Sequence, residues 1–363
     1  MNFFKFLKID GRENFSILVL LISAFLIRIP IVIIYGDTEI ENEWYVLLKN
    51  LTEHNILSMK DFGLNADGSI NFLPNLWMPP LYAYYLYALS LIKLEHQNFL
   101  FLVLFSQALL SSISVIVFYK INKLFFSEKI SLFGSLLFSI FPLYLFACSQ
   151  ISSVSLFVFL AVLFYYFFFI ITKKPTYTSI ITFGFVAGLL ILTRREFIII
   201  LALSSFFLFI FFKMSVKKIL LIILISIITT SPYLIRNFLI FEKIIIQAGF
   251  GYNVWKANNS NSKVEGSGLI DQNLLSQIEK IPKDKFYRIN EDKIFLKEGM
   301  KNIIEQPKRY IILYFKKIFS FLFIDLNSSE PNYYNPFHYV PVILLGITSL
   351  FGIMLSDKKS NRF

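Results

Sequence analysis

The chain has almost no cysteine and very little histidine. Its 363 residues include one cysteine, Cys148, and three histidines that are scattered along the sequence. A single cysteine excludes an internal disulfide and a cysteine-based metal cluster, and scattered histidines lack the spacing of a zinc site. The sequence therefore predicts no metal site and no certain cofactor. It leaves a divalent metal open without supporting one.

Charged residues are also scarce. They make up 16% of the chain, against 56% hydrophobic residues, and the mean hydropathy is +0.63. Several apolar runs reach the roughly 20 residues that cross a bilayer. This composition excludes a soluble globular protein and predicts an all-α polytopic membrane protein. The first apolar run, 15–35, is long for a signal peptide and lacks a small-residue cleavage site, so we expect a retained helix.

The net charge of +11 comes mainly from short basic clusters between the apolar runs. This is the positive-inside pattern of a membrane protein, and we expect no nucleic-acid binding. Lys5, Lys8 and Arg12 predict a cytoplasmic N terminus and thereby the direction of eight spans. The spans are about 16–35, 98–119, 130–148, 151–171, 178–193, 197–212, 219–235 and 338–355.

Residues 36–96 are predicted to form the first outer loop, which is too long to be a simple connector. The loop starts with a helical pattern that runs to His54. Its last part, 81–94, is short for a span and rich in tyrosine, which prefers the membrane interface. We therefore expect a helix lying along the outer surface, with a true span as the alternative.

Residues 236–337 are predicted to form a second outer segment. A helical pattern covers 284–305, and the apolar run 309–325 is interrupted by two lysines, which favours an interfacial helix. The sequence shows no internal repeat and no separate soluble domain. Residues 1–363 are therefore predicted to form a single transmembrane domain.

An acidic stretch follows the first predicted span directly. Its four carboxylates are Asp37, Glu39, Glu41 and Glu43. Apolar residues recur at helical spacing over 40–51, and Asp37 and Glu41, four residues apart, would then share a face. Taken alone, the stretch favours helix capping, because Thr38 and Glu41 fit a capping box. The alternative is a catalytic carboxylate.

Arginines are predicted to gather at the same face. Arg194 and Arg195 form the one short basic cluster that this topology places outside, and Arg236 with Asn237 follows the seventh span. Arg28 lies inside the first span, near its outer end. A carboxylate would deprotonate an incoming nucleophile, and arginines would bind a departing phosphate, so the set suits transfer from a phosphate-linked donor. For each arginine singly, the alternative is a headgroup anchor.

Six short segments follow one another in a familiar order. They are FLIRIP at 25–30, the acidic segment at 41–51, MPPLY at 78–82, LTR at 192–194, SPYLIRN at 231–237 and GYNVWKANN at 251–259. Together they resemble the GT-C superfamily of polyprenyl-phosphate-sugar-dependent glycosyltransferases, nearest to protein mannosyltransferases and aminoarabinose transferases. The chain departs from that pattern at Met78, where Lys or Arg is common, and at Arg195, where Pro is usual. We also expect no substantial C-terminal outer domain.

The resemblance implies a GT-C-like helical bundle of about 8–10 transmembrane helices, with interfacial helices and loops on the outer face. It implies inverting transfer of a hexose or pentose from a polyprenyl-phosphate-linked donor, with a carboxylate as base. The acceptor would be a lipid, glycan or protein of the cell envelope. The enzyme would lie in a bacterial cytoplasmic (inner) membrane, with its active site on the extracytoplasmic face.

The predicted site residues fall into three groups. Glu41 is favoured as the base by motif position and Asp37 by its place at the membrane exit, with Glu43 third. Donor phosphate binding is assigned to Arg194, Arg195, Arg236 and Arg28. Substrate binding is assigned to Tyr45, Trp77, Tyr82, Asn237, Asn253 and Trp255. The rival interpretations are a flippase or transporter of lipid-linked sugars, an enzyme like an O-antigen polymerase or ligase, and a membrane scaffold.

Overall fold

The structure is a computed structural model that describes residues 11–65, 67–325, 328 and 334–355, without the side chains of 11–14 and 42. Lys5, Lys8 and the Arg12 side chain, on which the predicted orientation depends, lie outside the described residues. The chain divides into two compact units, Met1–Gln247 and Ala248–Phe363. The prediction of a single domain stays a prediction.

In its described part, the first unit is helical apart from one β-hairpin. Its elements are α1 (Gly11–Tyr35), α2 (Asn42–His54), β1 (Ser58–Leu64), β2 (Ile70–Pro74), α3 (Pro80–Ser90), α4 (His96–Lys123), α5 (Glu128–Ser139), α6 (Pro142–Ala147), α7 (Val154–Lys173), α8 (Tyr177–Thr193), α9 (Phe197–Phe211) and α10 (Val216–Phe241). Helix α4 packs against α1, α5 and α7, and α8 packs between α7 and α10. The core of this bundle is built from large apolar side chains such as Phe164, Phe183 and Leu190, all fully buried.

Two glycines bring α8 and α10 close together. A Cβ on Gly184 would lie 2.7 Å from the carbonyl oxygen of Ile222, and one on Gly188 would lie 2.5 Å from the Cβ of Thr229. Both distances are too short for a real side chain, so glycine is what permits this helix contact. Such close packing through small residues is typical of helices in membranes.

Five described helices are long and apolar enough to cross a bilayer: Phe15–Tyr35, His96–Lys123, Val154–Lys173, Val216–Phe241 and Pro336–Leu355. Helices α8 and α9 are apolar but shorter. The predicted all-α polytopic membrane fold is thus confirmed. The number of spans, about 8–10, stays a prediction.

Two predicted spans have different bounds in the structure. The span predicted at 130–148 is two helices, α5 and α6, because Pro142 lacks an N–H group and starts a new helix after the extended Phe141. The span predicted at 219–235 continues through Pro232 to the end of α10 at Phe241. Arg236 and Asn237 therefore lie within that helix, and the prediction that they follow it is wrong.

The 36–96 segment contains α2, the hairpin and α3. Helix α3 has 11 residues, which at 1.5 Å per residue gives about 16 Å, roughly half of a bilayer core. The alternative of a true span at 81–94 is therefore excluded by length. The hairpin was not predicted: β1 and β2 are antiparallel, with Lys60 opposite Leu73 and Asp61 opposite Phe72.

The second unit is also helical in its described part. Its helices are α11 (Phe250–Ala257), α12 (Gln272–Glu279), α13 (Tyr287–Glu305), α14 (Pro307–Leu322) and α15 (Pro336–Leu355). Helices α13 and α14 correspond to the patterns predicted at 284–305 and 309–325. Trp255 is 1% exposed and packs against Phe295 with ring centroids 4.8 Å apart, so α11 and α13 share a small core of their own.

Candidate functional site

Asp37 is held against a turn that lies more than a hundred residues away in sequence. Its backbone N–H donates to the carbonyl oxygen of Ser149 at 3.0 Å, and its Oδ2 accepts the N–H of Ile151 at 2.6 Å. Gly36 lies where a side chain has no room, because a Cβ there would lie 2.2 Å from the Val32 carbonyl oxygen and 2.9 Å from Cδ1 of Leu104. The carboxylate is half-buried and fixed in direction, directly after the first apolar helix.

The same turn is supported from below by two glutamines. Gln107, fully buried in α4, donates through Nε2 to the Gln150 carbonyl oxygen at 2.9 Å and accepts the Tyr82 hydroxyl through Oε1 at 2.7 Å. Gln150 in turn donates through Nε2 to the Tyr35 carbonyl oxygen at 3.0 Å. These contacts tie α1, α3 and α4 to the turn that holds Asp37. Sequence reasoning missed both glutamines, although an amide inside an apolar run was the available signal.

Tyr82 is part of this support rather than an open binding surface. Its side chain is fully buried, with its ring edge-on to Trp44 at 4.7 Å and stacked on Tyr85 at 5.6 Å. Burial raises the pKa of the Tyr82 phenol well above its ordinary range, and the charges of Tyr85 and Asp37 raise it further. The phenol is therefore a neutral donor to Gln107.

The other two candidate bases, Glu41 and Glu43, are less constrained than Asp37. Helix α2 begins at Asn42, and its N-cap is Glu41, which is exposed and forms no side-chain cap bond. Asp37, Thr38 and Glu41 all precede the first residue of α2. The predicted capping box of Thr38 and Glu41 is therefore wrong, and so is the predicted shared helix face of Asp37 and Glu41. Glu43 is half-buried in the first turn of α2.

Tyr45 and Trp77 are partly accessible. Tyr45 is 48% exposed on α2 and lines an open cavity of about 330 Å³ together with Lys49, Glu53 and His96. Trp77 is half-buried, and its carbonyl oxygen accepts the Nε2 of Gln247.

The guanidinium of Arg236 is hydrogen-bonded to the backbone on either side of the hairpin. Its Nη1 donates to the carbonyl oxygen of Asn75 at 3.0 Å and to Oδ1 of Asn237 at 2.7 Å, and its Nη2 donates to the carbonyl oxygen of Leu57 at 3.1 Å. Asn237 is fully buried, and its Nδ2 donates to the Ile245 carbonyl oxygen at 2.6 Å. Arg236 thus joins the chain segments on either side of the hairpin to α10, and Asn237 joins α10 to the segment that follows it.

The adjacent arginines at the end of α8 differ from each other. Arg195 is half-buried; its Nη1 donates to the carbonyl oxygen of Gln247 at 2.8 Å, and its Nε lies 3.6 Å from Glu196. Arg194 is exposed, with its guanidinium 4.9 Å from the centre of the Phe157 ring. Within the described ranges, Arg194 has no hydrogen-bond or ion-pair partner for its guanidinium, so its donors are available to an anion.

Asp37, Arg194 and Arg236 lie at one end of the first unit. Phe157, under Arg194, is only six residues after Ile151, which binds Asp37. Arg236 binds the carbonyl oxygen of Asn75, whose side chain donates to the Met78 carbonyl oxygen two residues before α3, so Arg236 lies near the start of the helix that approaches Asp37. Which side of the membrane this end faces stays a prediction.

Three further predicted site residues are described by their surroundings within their own unit. Arg28 is fully buried among α1, α4 and α5, and its Nε donates to Oγ of Ser111 at 2.8 Å. Trp255 and Asn253 belong to the second unit, where the Trp255 ring is buried in the core and Asn253 is exposed on α11. In the parts of the chain with described side chains, no three His, Cys, Asp or Glu residues come together in a way that could hold a metal ion.

Residues 78–235 match the family model described as dolichyl-phosphate-mannose-protein mannosyltransferase, a stretch of less than half of the chain. No curated protein matches the chain. The matched stretch contains Tyr82, Arg194 and Arg195, and it ends one residue before Arg236. It confirms the family resemblance over this part of the chain and supports a membrane glycosyltransferase of the GT-C type.

Proposed function

We propose that this chain transfers a sugar from a polyprenyl-phosphate-linked donor to a hydroxyl-bearing acceptor of the cell envelope, on the extracytoplasmic face of the membrane. The observation that carries the proposal is the fixed Asp37 carboxylate at the same end of the bundle as the exposed guanidinium of Arg194. One supplies a base, and the other supplies a cation for a phosphate.

Asp37 is the better base because it is preorganised. Its Oδ2 is occupied by the N–H of Ile151, whereas Oδ1 has no hydrogen-bond partner in the described part of the chain. A fixed carboxylate with one available oxygen does not need to be oriented during the reaction, which favours transfer. Glu41 is exposed and its side chain caps nothing, so it would have to be ordered by the substrate.

In the proposed step, Oδ1 of Asp37 takes the proton of the acceptor hydroxyl while the acceptor oxygen attacks the anomeric carbon of the donor sugar. The bond from that carbon to the phosphate oxygen breaks on the opposite side, so the configuration inverts. The electron pair leaves with the polyprenyl phosphate, whose added charge Arg194 stabilises. The proton on Asp37 then passes to solvent.

Two observations favour the flippase alternative. The buried charge of Arg28 lies inside a span, and the α5–α6 segment is discontinuous. Charges in the bilayer and broken helices are typical of transporters. A flippase would move a labelled donor across the bilayer without needing the Asp37 carboxylate, so one variant separates the two functions.

The test is Asp37→Asn in nanodiscs supplied with a panel of polyprenyl-phosphate sugars. The amide oxygen still accepts the Ile151 N–H, so the fold is kept while the base is lost. We expect transfer, or slow hydrolysis of the donor, to fall by about 10²–10⁴-fold. Glu41→Gln is the matched control and should keep most of the activity.

Wild-type activity in Asp37→Asn would refute Asp37 as the base, and loss of activity in Glu41→Gln alone would assign that role to Glu41. In liposomes, translocation of a fluorescent donor that is unchanged by Asp37→Asn, with no transfer by the wild type, would support the flippase instead.

A further inference from the structure

Arg28 is a buried charge that the proposed transfer does not use. It lies seven residues before the end of the span Phe15–Tyr35, which is about 10 Å along a helix. Nε donates to Ser111 and Nη1 donates to the Ala24 carbonyl oxygen, each at 2.8 Å, but Nη2 is buried without a partner. Among the described residues no carboxylate pairs with it. A buried guanidinium without a counter-charge is strongly disfavoured, so its surroundings should supply one.

Two serines beside Arg28 behave differently from their neighbours. Four other buried serines of α4 and α5 donate to a carbonyl oxygen one helical turn back: Ser112, Ser114, Ser131 and Ser135. Ser111 instead accepts from Nε, and Oγ of Ser139 lies 3.5 Å from Nη1. Neither Ser111 nor Ser139 has an acceptor for its own hydroxyl hydrogen in the part of the chain that is described. Each hydroxyl still has a hydrogen to place.

The site therefore presents only donors. The Nη2 group and two hydroxyl hydrogens meet around one positive charge, and they come from three different helices, α1, α4 and α5. The titratable group that is electrostatically coupled to Arg28 is Cys148, whose thiol donates to the Leu145 carbonyl oxygen at 3.0 Å and so brings no negative charge. A cluster of donors around a cation, without an acceptor, is complementary to an anion.

We propose that a small inorganic anion of the size of chloride binds between Arg28, Ser111 and Ser139. All three side chains are less than a tenth exposed, so the site is closed to a lipid headgroup. A water molecule would accept from Nη2 but would leave the guanidinium without a counter-charge. The anion would thus stabilise the packing of α1 on α4 and α5, independently of any glycosyl transfer.

The test is the apparent melting temperature of the purified protein in nanodiscs of zwitterionic lipid, with chloride titrated against gluconate at constant ionic strength. Gluconate is too large for a closed site. We expect a saturable rise of about 2–4 °C once chloride reaches about five times its dissociation constant. Bromide should act like chloride and should appear at Arg28 in anomalous diffraction.

The variants separate the anion from general salt effects. Arg28→Gln removes the charge and should abolish the chloride response. If that variant does not fold, the double variant Ser111→Ala with Ser139→Ala keeps the charge and should weaken the response at least several-fold. Ser114→Ala is the matched control, because its hydroxyl bonds only its own helix, and it should respond like the wild type.

Three results would overturn the proposal. The first is a melting temperature that does not distinguish chloride from gluconate, which would leave water in the site. The second is a chloride response that survives loss of both serines unchanged. The third is a response to anionic lipid, and not to chloride, that depends on Arg28, since it would assign the counter-charge to a headgroup phosphate.

Discussion

Replacing Gln107 by leucine should slow transfer far more than it weakens donor binding. The side chain is fully buried and joins the Tyr82 hydroxyl, at 2.7 Å, to the Gln150 carbonyl oxygen, at 2.9 Å. Leucine is close to glutamine in volume, so the change removes two hydrogen bonds without opening a large cavity. A buried polar group that loses its partner costs about 1–3 kcal/mol, so the two groups together cost roughly 2–6 kcal/mol if neither finds water.

The effect on activity follows from what the turn holds. Gln150 precedes Ile151, whose N–H orients the Asp37 carboxylate. A displacement of about 1 Å at a reacting group costs on the order of 10²-fold in rate. We therefore expect kcat for transfer to fall about 10–100-fold, while KM for the donor, whose phosphate is assigned to Arg194, stays close to the wild-type value.

A double-mutant cycle with Tyr82→Phe makes this reasoning testable. In the combined variant no phenol hydroxyl is left unpaired, so its loss of stability should be smaller than the sum of the two single losses by about 0.5–3 kcal/mol. Thermal unfolding measures the stability, and initial rates with a polyprenyl-phosphate sugar measure the activity. Additive losses, or an unchanged kcat in Gln107→Leu, would refute the proposed support of Asp37. Ser114→Ala on the same helix serves as the control.

Three further predictions address the packing within each unit. Arg236→Gln should loosen the β1–β2 hairpin, seen as faster hydrogen exchange at 57–75, and Arg236→Lys should not restore it, since an ammonium lacks the fork that joins two carbonyl oxygens. Tyr82, Tyr84 and Tyr85 on α3 have pKa values raised chiefly by burial. These phenols therefore ionise first in the unfolded chain. Their contribution to stability should be constant below about pH 10 and fall above it, as followed by thermal unfolding. Gly251→Ala would place a Cβ 1.9 Å from a carbonyl oxygen of α13. We expect it to lower stability by about 1–3 kcal/mol in the same assay, with Gly268→Ala as an unaffected control.

The helices were predictable where apolar residues repeat over long stretches. Helices α7, α8 and α13 begin and end within a few residues of the predicted bounds. The break between α5 and α6 was missed because the surrounding residues are uniformly apolar, and hydropathy alone does not register the N–H that Pro142 lacks. The hairpin was missed for a different reason. Its two strands are short, and their ends are held by Arg236, which lies more than 150 residues later in the chain.

The candidate site was only partly predictable because it also depends on contacts between residues far apart in sequence. Topology alone placed the acidic stretch and Arg194 at one face, because consecutive spans alternate in direction. The support by Gln107 depends on contacts with Tyr82 and Gln150, which lie 25 and 43 residues away in sequence. Local patterns carry no information on such pairings. The spacing of Thr38 and Glu41 fits a capping box, but the prediction was wrong because these residues belong to the connection between α1 and α2. The helix begins only at Asn42.

The four arginines assigned to the donor phosphate divide according to what the fold requires of them. The 36–96 segment has short elements, and Arg236 holds it by binding carbonyl oxygens at both ends of its hairpin. Arg195 binds the carbonyl oxygen of Gln247, and Arg28 is enclosed between helices. Each of these guanidinium groups has donors committed to the chain, and an incoming phosphate would have to compete for them. Of the four, Arg194 is the one whose guanidinium is exposed with none of its donors bound within the described residues, so the charge that balances the departing phosphate should come mainly from this side chain.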